Sequence, residues 1–251
     1  TLFPYTTLFR SGICEVVLYS SDHHSSLARE SEEHIRNLIE VWTDRYIELG
    51  QKPGVQYVFI FENKGDAVGV TLSHPHGQIY AFPFIPPILE KELQAALEHH
   101  TATDKCLYCD IMAEEKEDAV RIIAENGEFI AFVPFFARYP FEAHIYAKRH
   151  VTNLAELTAV EQEGLAAVLK EVLVKYDALF GFSLPYIMAI HQAPPKGDYP
   201  HYHFHIEFYP FNRTETKLKY LAGVESGAGT FITDMSPEQQ AAQLRGDQHE
   251  E

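Results

Sequence analysis

The run His74-Pro75-His76-Gly77-Gln78 places two imidazoles and an amide at every second position. Alternate side chains of a strand share one face, so His74, His76 and Gln78 are predicted to project together. A neutral imidazole is a competent nucleophile towards phosphorus, and a glutamine amide can donate to a phosphoryl oxygen without delivering a proton. The run therefore predicts phosphoryl-type transfer, with His76 as the nucleophile.

The two residues between these polar positions carry structural information of their own. Pro75 has no N–H to donate, which predicts a strand at the edge of its sheet. Gly77 has no Cβ, and we expect this to let a phosphate approach the backbone. The alternative is that His74 and His76 are solvent-facing side chains of an edge strand, with no chemical role.

A second histidine strand indicates an internal repeat. Each half of the chain has one such strand after a helix-and-strand segment, at 30–62 in the first half and at 158–191 in the second. These matches predict two copies of one α+β module that share an antiparallel sheet with flanking helices, although chance similarity between aromatic-rich strands is the alternative. The alignment places His76 on His203, His74 on His201 and Gln78 on His205.

Hydrophobic periodicity gives the order of the elements. It predicts helices at 30–50 and 158–180, and Thr158 and Glu161 form a capping box at the start of the second. Strands are predicted on either side of both helices. We predict an N-terminal module at 12–100, a C-terminal module at 101–235 and a tail at 236–251 that starts one more helix.

Composition restricts the classes of function. The chain has 251 residues, of which 46% are hydrophobic, so it can bury a substantial core. A formal net charge of −16 disfavours a nucleic-acid partner, and no apolar run approaches the ~20 residues that a membrane-spanning helix needs. Three cysteines cannot form a disulfide framework for a chain of this length. We therefore predict a cytoplasmic globular protein without a membrane or nucleic-acid partner.

The first eleven residues are predicted not to belong to the natural protein. Residues 1–11 have the sequence TLFPYTTLFRS, which matches the in-frame translation of a sequencing-adapter oligonucleotide. The segment also lacks the basic-then-apolar order of a signal peptide. On this interpretation the natural chain begins upstream and is truncated here.

The motifs resemble the galactose-1-phosphate uridylyltransferase family of the histidine-triad superfamily. In that family the second histidine of the His-Pro-His-Gly-Gln run becomes uridylylated, which implies His76, and the glutamine holding the phosphoryl oxygens corresponds to Gln78. The matching stretches are Phe61-Glu62-Asn63-Lys64-Gly65, His74-Pro75-His76-Gly77-Gln78-Ile79-Tyr80, Val133-Pro134, Pro140-Phe141-Glu142, Lys148-Arg149-His150-Val151 and Lys219-Tyr220-Leu221-Ala222-Gly223-Val224-Glu225.

The resemblance also implies substrates and substrate contacts. UMP would pass from UDP-glucose to galactose 1-phosphate by a ping-pong reaction of galactose metabolism. Separately, the duplicated module is compatible with a homodimer, although the sequence does not determine the oligomeric state. Alternatives are an ADP-sugar phosphorylase or adenylyltransferase, a histidine-triad nucleotide hydrolase, and a metal-stabilised nucleotide-binding module without catalysis. The resemblance implies that Asn63 contacts the phosphate or nucleotide and that Lys219 and Glu225 contact the sugar. The other implied substrate contacts are Gly69, Thr71 and Gly223.

Cys106 and Cys109 have the spacing of a zinc knuckle, but zinc needs four ligands. Small histidine-triad proteins that carry zinc use a cysteine pair and two histidines, which here implies His150 and His201 as the other ligands. A structural zinc site is therefore expected in the second half, and the alternative is that the two cysteines are ordinary buried thiols.

The resemblance implies a further metal group in the first half of the chain. In the first half the family uses a cysteine pair with two histidines, which implies His23 and His74, while the cysteines are expected upstream of residue 12. Cys14 lies in an apolar strand and is interpreted as a core residue.

Some family members also have an iron-type site of one Glu and three His. Glu92, His191 and His205 match three of its positions, but Glu207 stands where the third histidine would be. These residues could bind another divalent ion, and the alternative is that they are satisfied polar side chains of a half-exposed strand; iron is not assigned to them.

Overall fold

The computed structural model describes residues 12–70, 72 and 74–247. Residues 1–11, including the predicted adapter segment, lie outside the described residues, as does the predicted contact Thr71. The strands are β1 (Ile13–Leu18), β2 (Tyr57–Lys64), β3 (His76–Phe82), β4 (Ile122–Glu125), β5 (Phe129–Phe132), β6 (Ala143–Ala147), β7 (Tyr186–His191) and β8 (His205–Pro210). The α-helices are α1 (Glu32–Gln51), α2 (Pro87–Thr103), α3 (Leu107–Asp118), α4 (Ala159–Leu179), α5 (Gly223–Ala228) and α6 (Pro237–Arg245).

All eight strands join one antiparallel sheet, in the order β1-β3-β2-β7-β8-β6-β5-β4. The first half of the chain contributes three neighbouring strands and the second half contributes five. The halves meet where β2 pairs with β7, with Ile60 opposite Ile190. This confirms the predicted α+β fold, an antiparallel sheet with flanking helices. The boundary between modules at 12–100 and 101–235 stays a prediction, because a single sheet runs through both.

The two faces of the sheet are covered differently. Helices α1 and α4 pack against each other and against one face, where Trp42, Ile60 and Ile206 are buried in the main core. The opposite face is buried over the second half, where Leu93 of α2 and Tyr108 of α3 join a separate cluster. Over β1 to β3 the described residues leave this opposite face open, with exposed side chains on β1 and half-buried ones, including His76, on β3.

Helix α4 is fixed at its start as the sequence predicts. The Thr158 hydroxyl accepts from the Glu161 N–H, and the Glu161 carboxylate accepts from the Thr158 N–H. Arg149 also holds Glu161, through two guanidinium nitrogens. These contacts bring the end of the Lys148-Arg149-His150 stretch to the start of α4, so the helix cap also positions His150.

Helices α2, α3 and α5 were missing from the sequence-based prediction. Helix α2 begins after Pro86 with Pro87 at its first position, and Cys106 at the start of α3 makes no side-chain cap. Neither start has the Ser, Thr, Asp or Asn cap that marks a helix in a sequence. Helix α6 confirms the helix predicted in the tail. None of the helices formed by the described residues is long and apolar enough to cross a membrane.

Candidate functional site

The histidine strand lies inside the sheet, which corrects the prediction of an edge strand. Strand β3 pairs with β1 on one side and β2 on the other, and β1 forms the edge. Pro75 precedes the strand, where no ladder donor is needed, and its carbonyl accepts from the Tyr19 N–H at 2.9 Å. The missing N–H of Pro75 therefore indicates where β3 begins, not that β3 lies at the edge of the sheet.

The predicted alternation along β3 is confirmed. His76 and Gln78 are half-buried on the open face, whereas Gly77 and Ile79 are buried on the face that packs against the main core. Across the ladder, Leu18 lies opposite His76, and Val16, opposite Gln78, is 61% exposed. The nucleophile candidate therefore stands on an accessible surface with apolar side chains beside it.

A backbone carbonyl determines which nitrogen of His76 can react. Its Nδ1 lies 2.8 Å from the carbonyl oxygen of His74, and because a carbonyl only accepts, Nδ1 carries the proton. In the neutral ring the lone pair is then on Nε2. The imidazole is held in the tautomer and orientation that a nucleophile requires.

Gln78 has its amide oxygen occupied by a neighbour that the sequence analysis missed. The Tyr80 hydroxyl donates to Gln78 Oε1 at 3.0 Å. With the oxygen so engaged, the amide NH₂ is left as the donating end. Tyr80 has a sequence signal, since it lies two residues from Gln78 on the same face of the strand.

A cavity of about 220 Å³ opens beside His76. Asn63 from the end of β2 lines it together with His74 and His76, so three of the predicted residues are brought together. Gly69 is exposed and takes a left-handed conformation (φ 81°) at the end of the turn 66–68, outside the lining of this cavity.

Three predicted substrate contacts lie elsewhere within the chain. Lys219 and Glu225 form a buried ion pair at 3.0 Å, and Lys219 also donates to the Ile232 carbonyl at 2.8 Å. Gly223 is exposed at the first position of α5. None of the three lines the His76 cavity.

Gly77 serves a purpose different from the predicted one. It lies on the buried face, and a Cβ there would overlap the hydroxyl of Tyr19. Tyr19 is 2% exposed, and its hydroxyl has no hydrogen-bond partner among the described residues. The missing side chain therefore makes room for Tyr19 beneath the strand, rather than for a phosphate above it.

Buried Glu62 lies on the strand next to Gly77 and lines the His76 cavity. It accepts a hydrogen bond from the Tyr186 hydroxyl at 3.2 Å. Burial raises the pKa of Glu62 to about 7, although Lys64 opposes this shift. A carboxyl group near half-protonation thus lies under the candidate site near neutral pH.

The contact between Tyr19 and Gly77 predicts a rescue. Gly77→Ala should lower the free energy of unfolding by about 1–3 kcal/mol because its methyl group overlaps a buried hydroxyl. Tyr19→Phe should change it little, and the double variant should recover only part of the loss, because the ring carbons Cζ and Cε1 of residue 19 still lie 2.7 and 3.0 Å from the added Cβ. Urea denaturation measures all three, with Gly127→Ala as control because Gly127 has open space around it. Purely additive losses would refute this interpretation.

A four-residue metal group is formed by Cys106, Cys109, His150 and His203. Cys109 Sγ lies 3.6 Å from His150 Nδ1 and 3.5 Å from His203 Nδ1, and Cys106 Sγ lies 3.7 Å from His203 Nδ1. With Zn–S near 2.3 Å and Zn–N near 2.05 Å, tetrahedral ligand atoms are separated by roughly 3.5 Å. The donors and their spacing therefore fit zinc.

Backbone carbonyls also fix the tautomers in this group. His150 Nε2 donates to the Pro200 carbonyl and His203 Nε2 donates to the Ala147 carbonyl, at 2.9 and 2.8 Å. Both Nδ1 lone pairs are left facing the cysteines, as in metal-ligating histidines. A hydrogen bond from Cys109 lowers the pKa of Cys106, and the same contact raises the pKa of Cys109.

The expected ligand His201 was wrong, and His203 replaces it. His201 lies 6.4 Å from His100 between ring centroids and is not part of the group. His203 corresponds to His74, since each donates Nε2–H to a carbonyl, and His205 donates Nδ1–H to the carbonyl two residues earlier, as His76 does. The sequence alignment was therefore shifted by two residues, which strand periodicity leaves undetected.

The first-half metal group contains two of its expected ligands. His23 Nδ1 and His74 Nδ1 lie 2.9 Å apart, and His74 Nε2 donates to the Ser20 carbonyl at 2.8 Å. Among the described residues no third ligand joins them. Cys14 is exposed on β1 rather than buried in the core, which corrects its predicted role.

The four residues of the predicted divalent-ion group do come together. Donor atoms of Glu92, His191, His205 and Glu207 lie within 4.8 Å of one another. Burial disfavours protonated His191, but Glu92 and Glu207 outweigh this and raise its pKa to about 9. Burial lowers the pKa of His205. Its Nε2, with no hydrogen-bond partner in the described structure, faces Glu207 Oε1 at 3.4 Å.

The family models and the sequence relatives that match this chain carry the same family description. The profile of the galactose-1-phosphate uridyl transferase N-terminal domain matches residues 4–86, and that of the C-terminal domain matches residues 91–251. A galactose-1-phosphate uridylyltransferase from Thermotoga maritima is 46% identical over 244 residues, covering 96% of this chain and 76% of that protein.

Solved structures agree with the sequence matches. A structure described as a uridylyltransferase superposes with a TM-score of 0.89 at 37% identity, covering 94% of this chain and 75% of the other. An ADP-glucose phosphorylase from Arabidopsis thaliana with bound ADP-glucose gives 0.84 at 28% identity, covering 93% and 72%. The chain belongs to the galactose-1-phosphate uridylyltransferase family.

Proposed function

We propose that this chain transfers UMP from UDP-glucose to galactose 1-phosphate through a covalent uridylyl group on His76. The observation that carries the proposal is the hydrogen bond from His76 Nδ1 to the His74 carbonyl, which leaves the Nε2 lone pair on the open face. The name of the Thermotoga maritima relative, a galactose-1-phosphate uridylyltransferase, supports the choice of substrates.

The reaction has two balanced steps. In the first, His76 Nε2 attacks the α-phosphorus of UDP-glucose, a P–N bond forms, and the P–O bond to glucose 1-phosphate breaks. The leaving group departs as a phosphate anion, so no general acid is needed. In the second step a phosphate oxygen of galactose 1-phosphate attacks the same phosphorus, and the P–N bond breaks. The Gln78 amide donates to the phosphoryl oxygens in both steps.

The covalent step predicts labelling at one residue. Incubation with uracil-labelled UDP-glucose should leave stoichiometric label on His76, detected by mass spectrometry of peptides. His76→Ala should lose both label and turnover, because Nε2 is the attacking atom, whereas His24→Ala, at an exposed histidine of the same half, should keep both. A His76→Ala protein that still labels and turns over would exclude this mechanism.

The same assay separates the related activities. UDP-glucose and ADP-glucose are compared side by side, because one structural relative is an ADP-glucose phosphorylase. Preferential labelling by ADP-glucose would replace the uridylyl assignment with an adenylyl one. Release of free nucleoside monophosphate without an acceptor would indicate a hydrolase instead.

The substrate contacts Lys219, Gly223 and Glu225 are part of the proposed function. Since they do not line the His76 cavity of their own chain, a second copy would have to bring them to it. We therefore include a homodimer in the proposed function. A symmetric dimer would place each Lys219 beside the partner's nucleophile.

Mixing two inactive variants tests this arrangement. His76→Ala and Lys219→Ala homodimers should each be strongly impaired, but mixed dimers contain one site free of both defects. Random exchange of subunits should therefore restore roughly a quarter of the normal activity. Activity that stays at the level of the separate variants after verified subunit exchange would show that Lys219 acts within its own chain or not at all.

Zinc is proposed for the group of Cys106, Cys109, His150 and His203. Two thiolates and two imidazoles at tetrahedral spacing are typical of a structural site with no open position. Zinc there would join the start of α3 to the strand segment before β8 and stabilise the fold. We assign no iron to the Glu92 group, because Glu207 already accepts from Arg138 at 3.0 Å and from Tyr209.

Separate substitutions of the two neighbouring histidines, His201 and His203, test which of them binds zinc. His203→Asn should lose stoichiometric zinc and unfold at a lower temperature, because zinc binding contributes to folding. His201→Asn should retain the metal. Zinc is measured by mass spectrometry of the purified protein, and the unfolding temperature by calorimetry. Zinc retained in His203→Asn but lost in His201→Asn would restore the original assignment.

A cytoplasmic location and the absence of a nucleic-acid partner stay predictions from composition and charge. The net charge of −16 supports the second prediction, and the presence of only three cysteines in the sequence supports the first.

A further inference from the structure

The Glu92 group, which consists of Glu92, His191, His205 and Glu207, has the composition of a divalent-ion site. Its two carboxylates come from different elements, Glu92 from α2 and Glu207 from β8. An ion that bound this group would need oxygen lone pairs on both carboxylates and no other cation beside them. The hydrogen bonds that each carboxylate accepts decide whether these requirements are met.

The carboxylate of Glu207 is already bound by a guanidinium. Arg138 Nη2 lies 3.0 Å from Glu207 Oε2, and the Tyr209 hydroxyl donates to the same oxygen. Arginine is not deprotonated in proteins, so this guanidinium is a permanent cation. A metal ion on Glu207 would sit within roughly 5 Å of the guanidinium, because metal–oxygen bonds are about 2.1 Å long, and two cations at that distance repel each other.

Arg138 is held in this position by a second buried carboxylate. Its backbone N–H donates to Glu142 Oε2 at 2.7 Å, as does that of Tyr139 at 2.9 Å, and its Nη2 contacts Glu142 Oε1 at 3.3 Å. The guanidinium also lies over the ring of Tyr209, 5.3 Å from the centroid. One arginine therefore serves two buried carboxylates, Glu142 and Glu207, and moving it aside to admit a metal ion would remove the cation from both.

The other carboxylate of the group is also held by protein donors. Glu92 Oε2 accepts from His191 Nδ1 at 2.9 Å and from the Tyr202 hydroxyl at 2.8 Å. One nitrogen is left over: His205 Nε2 lies 3.4 Å from Glu207 Oε1 and has no hydrogen-bond partner among the described residues. A guanidinium on the far oxygen of Glu207 does not reach this nitrogen, so it is a ligand position that the arginine leaves unused.

We propose that Arg138 takes the place of a divalent ion at the Glu92 group, so that this group is a metal-free ion-pair network. An ion does not fit these residues, because the positive charge that it would bring is already supplied. The network fastens α2 to β7 through Glu92 and His191, and the loop before β6 to β8 through Arg138 and Glu207. The exchange depends on residue 207, since a carboxylate binds a guanidinium and a neutral imidazole lone pair binds a metal ion. The proposal does not depend on the chemistry of His76.

A double variant of the complete protein tests the exchange. Arg138→Met with Glu207→His removes the guanidinium and gives the group one carboxylate and three imidazoles. After equilibration with Fe(II) or Zn(II) and gel filtration, it should hold one more equivalent of metal than the unaltered protein, measured by mass spectrometry. The added ion should also raise its unfolding temperature. Arg45→Met with Glu15→His makes the same changes in the ion pair between α1 and β1 and should gain no metal.

A single variant gives an independent measurement if the double variant does not fold. His191→Asn removes one imidazole of the group, and it should bind as many equivalents of Fe(II) or Zn(II) as the unaltered protein, because no ion depends on that imidazole. Loss of one equivalent in His191→Asn would overturn the proposal, and so would a folded double variant that gains no metal. Both measurements count bound metal rather than label on His76, so this proposal and the proposed function fail separately.

Discussion

The candidate sites depend on backbone carbonyls that fix the protonated nitrogen of each histidine. His74 and His203 donate through Nε2, which turns the Nδ1 lone pair towards a metal group. His76 and His205 donate through Nδ1, so in these two rings Nε2 carries the lone pair and points away from the backbone carbonyl. One ring type therefore gives ligands at two positions and a nucleophile at a third. The difference depends on the strand backbone, because an imidazole alone has no preferred end.

This dependence explains the arrangement of the sheet around β3. The carbonyl of His74 can orient His76 because the segment before β3 is held by β1, through the Pro75 carbonyl and the Tyr19 N–H. Tyr19 in turn lies below Gly77 and packs edge to face against Trp42 of α1. The orientation of the reactive ring is thus connected through one tyrosine to the main hydrophobic core.

The face on which the site residues lie and the start of one long helix could be predicted from sequence. The register between the two histidine strands could not, because their pattern repeats every two residues. Period-two spacing correctly placed His76 and Gln78 on one face, and the capping box correctly placed the start of α4. The same periodicity cannot distinguish alignments that differ by two residues, which is why His201 was chosen over His203. The role of Gly77 was misjudged because the residue that fills its space, Tyr19, is distant in sequence. Helices α2 and α3 lack ordinary cap residues and were therefore not predicted. The candidate ligands that they hold, Glu92 and Cys109, were identified from their residue types and spacing alone.

The contact between Tyr19 and Gly77 also constrains how the sequence can diverge. A side chain at position 77 is sterically incompatible with the hydroxyl and the ring of Tyr19, because a Cβ there would also lie 2.7 Å from the ring carbon Cζ. Divergence therefore has a preferred order, in which tyrosine is replaced by a residue with a smaller side chain before glycine is replaced. Lineages that retain the tyrosine keep glycine beside the reactive histidine for a reason of ancestry and packing, and conservation of that glycine would be no measure of its contact with substrate.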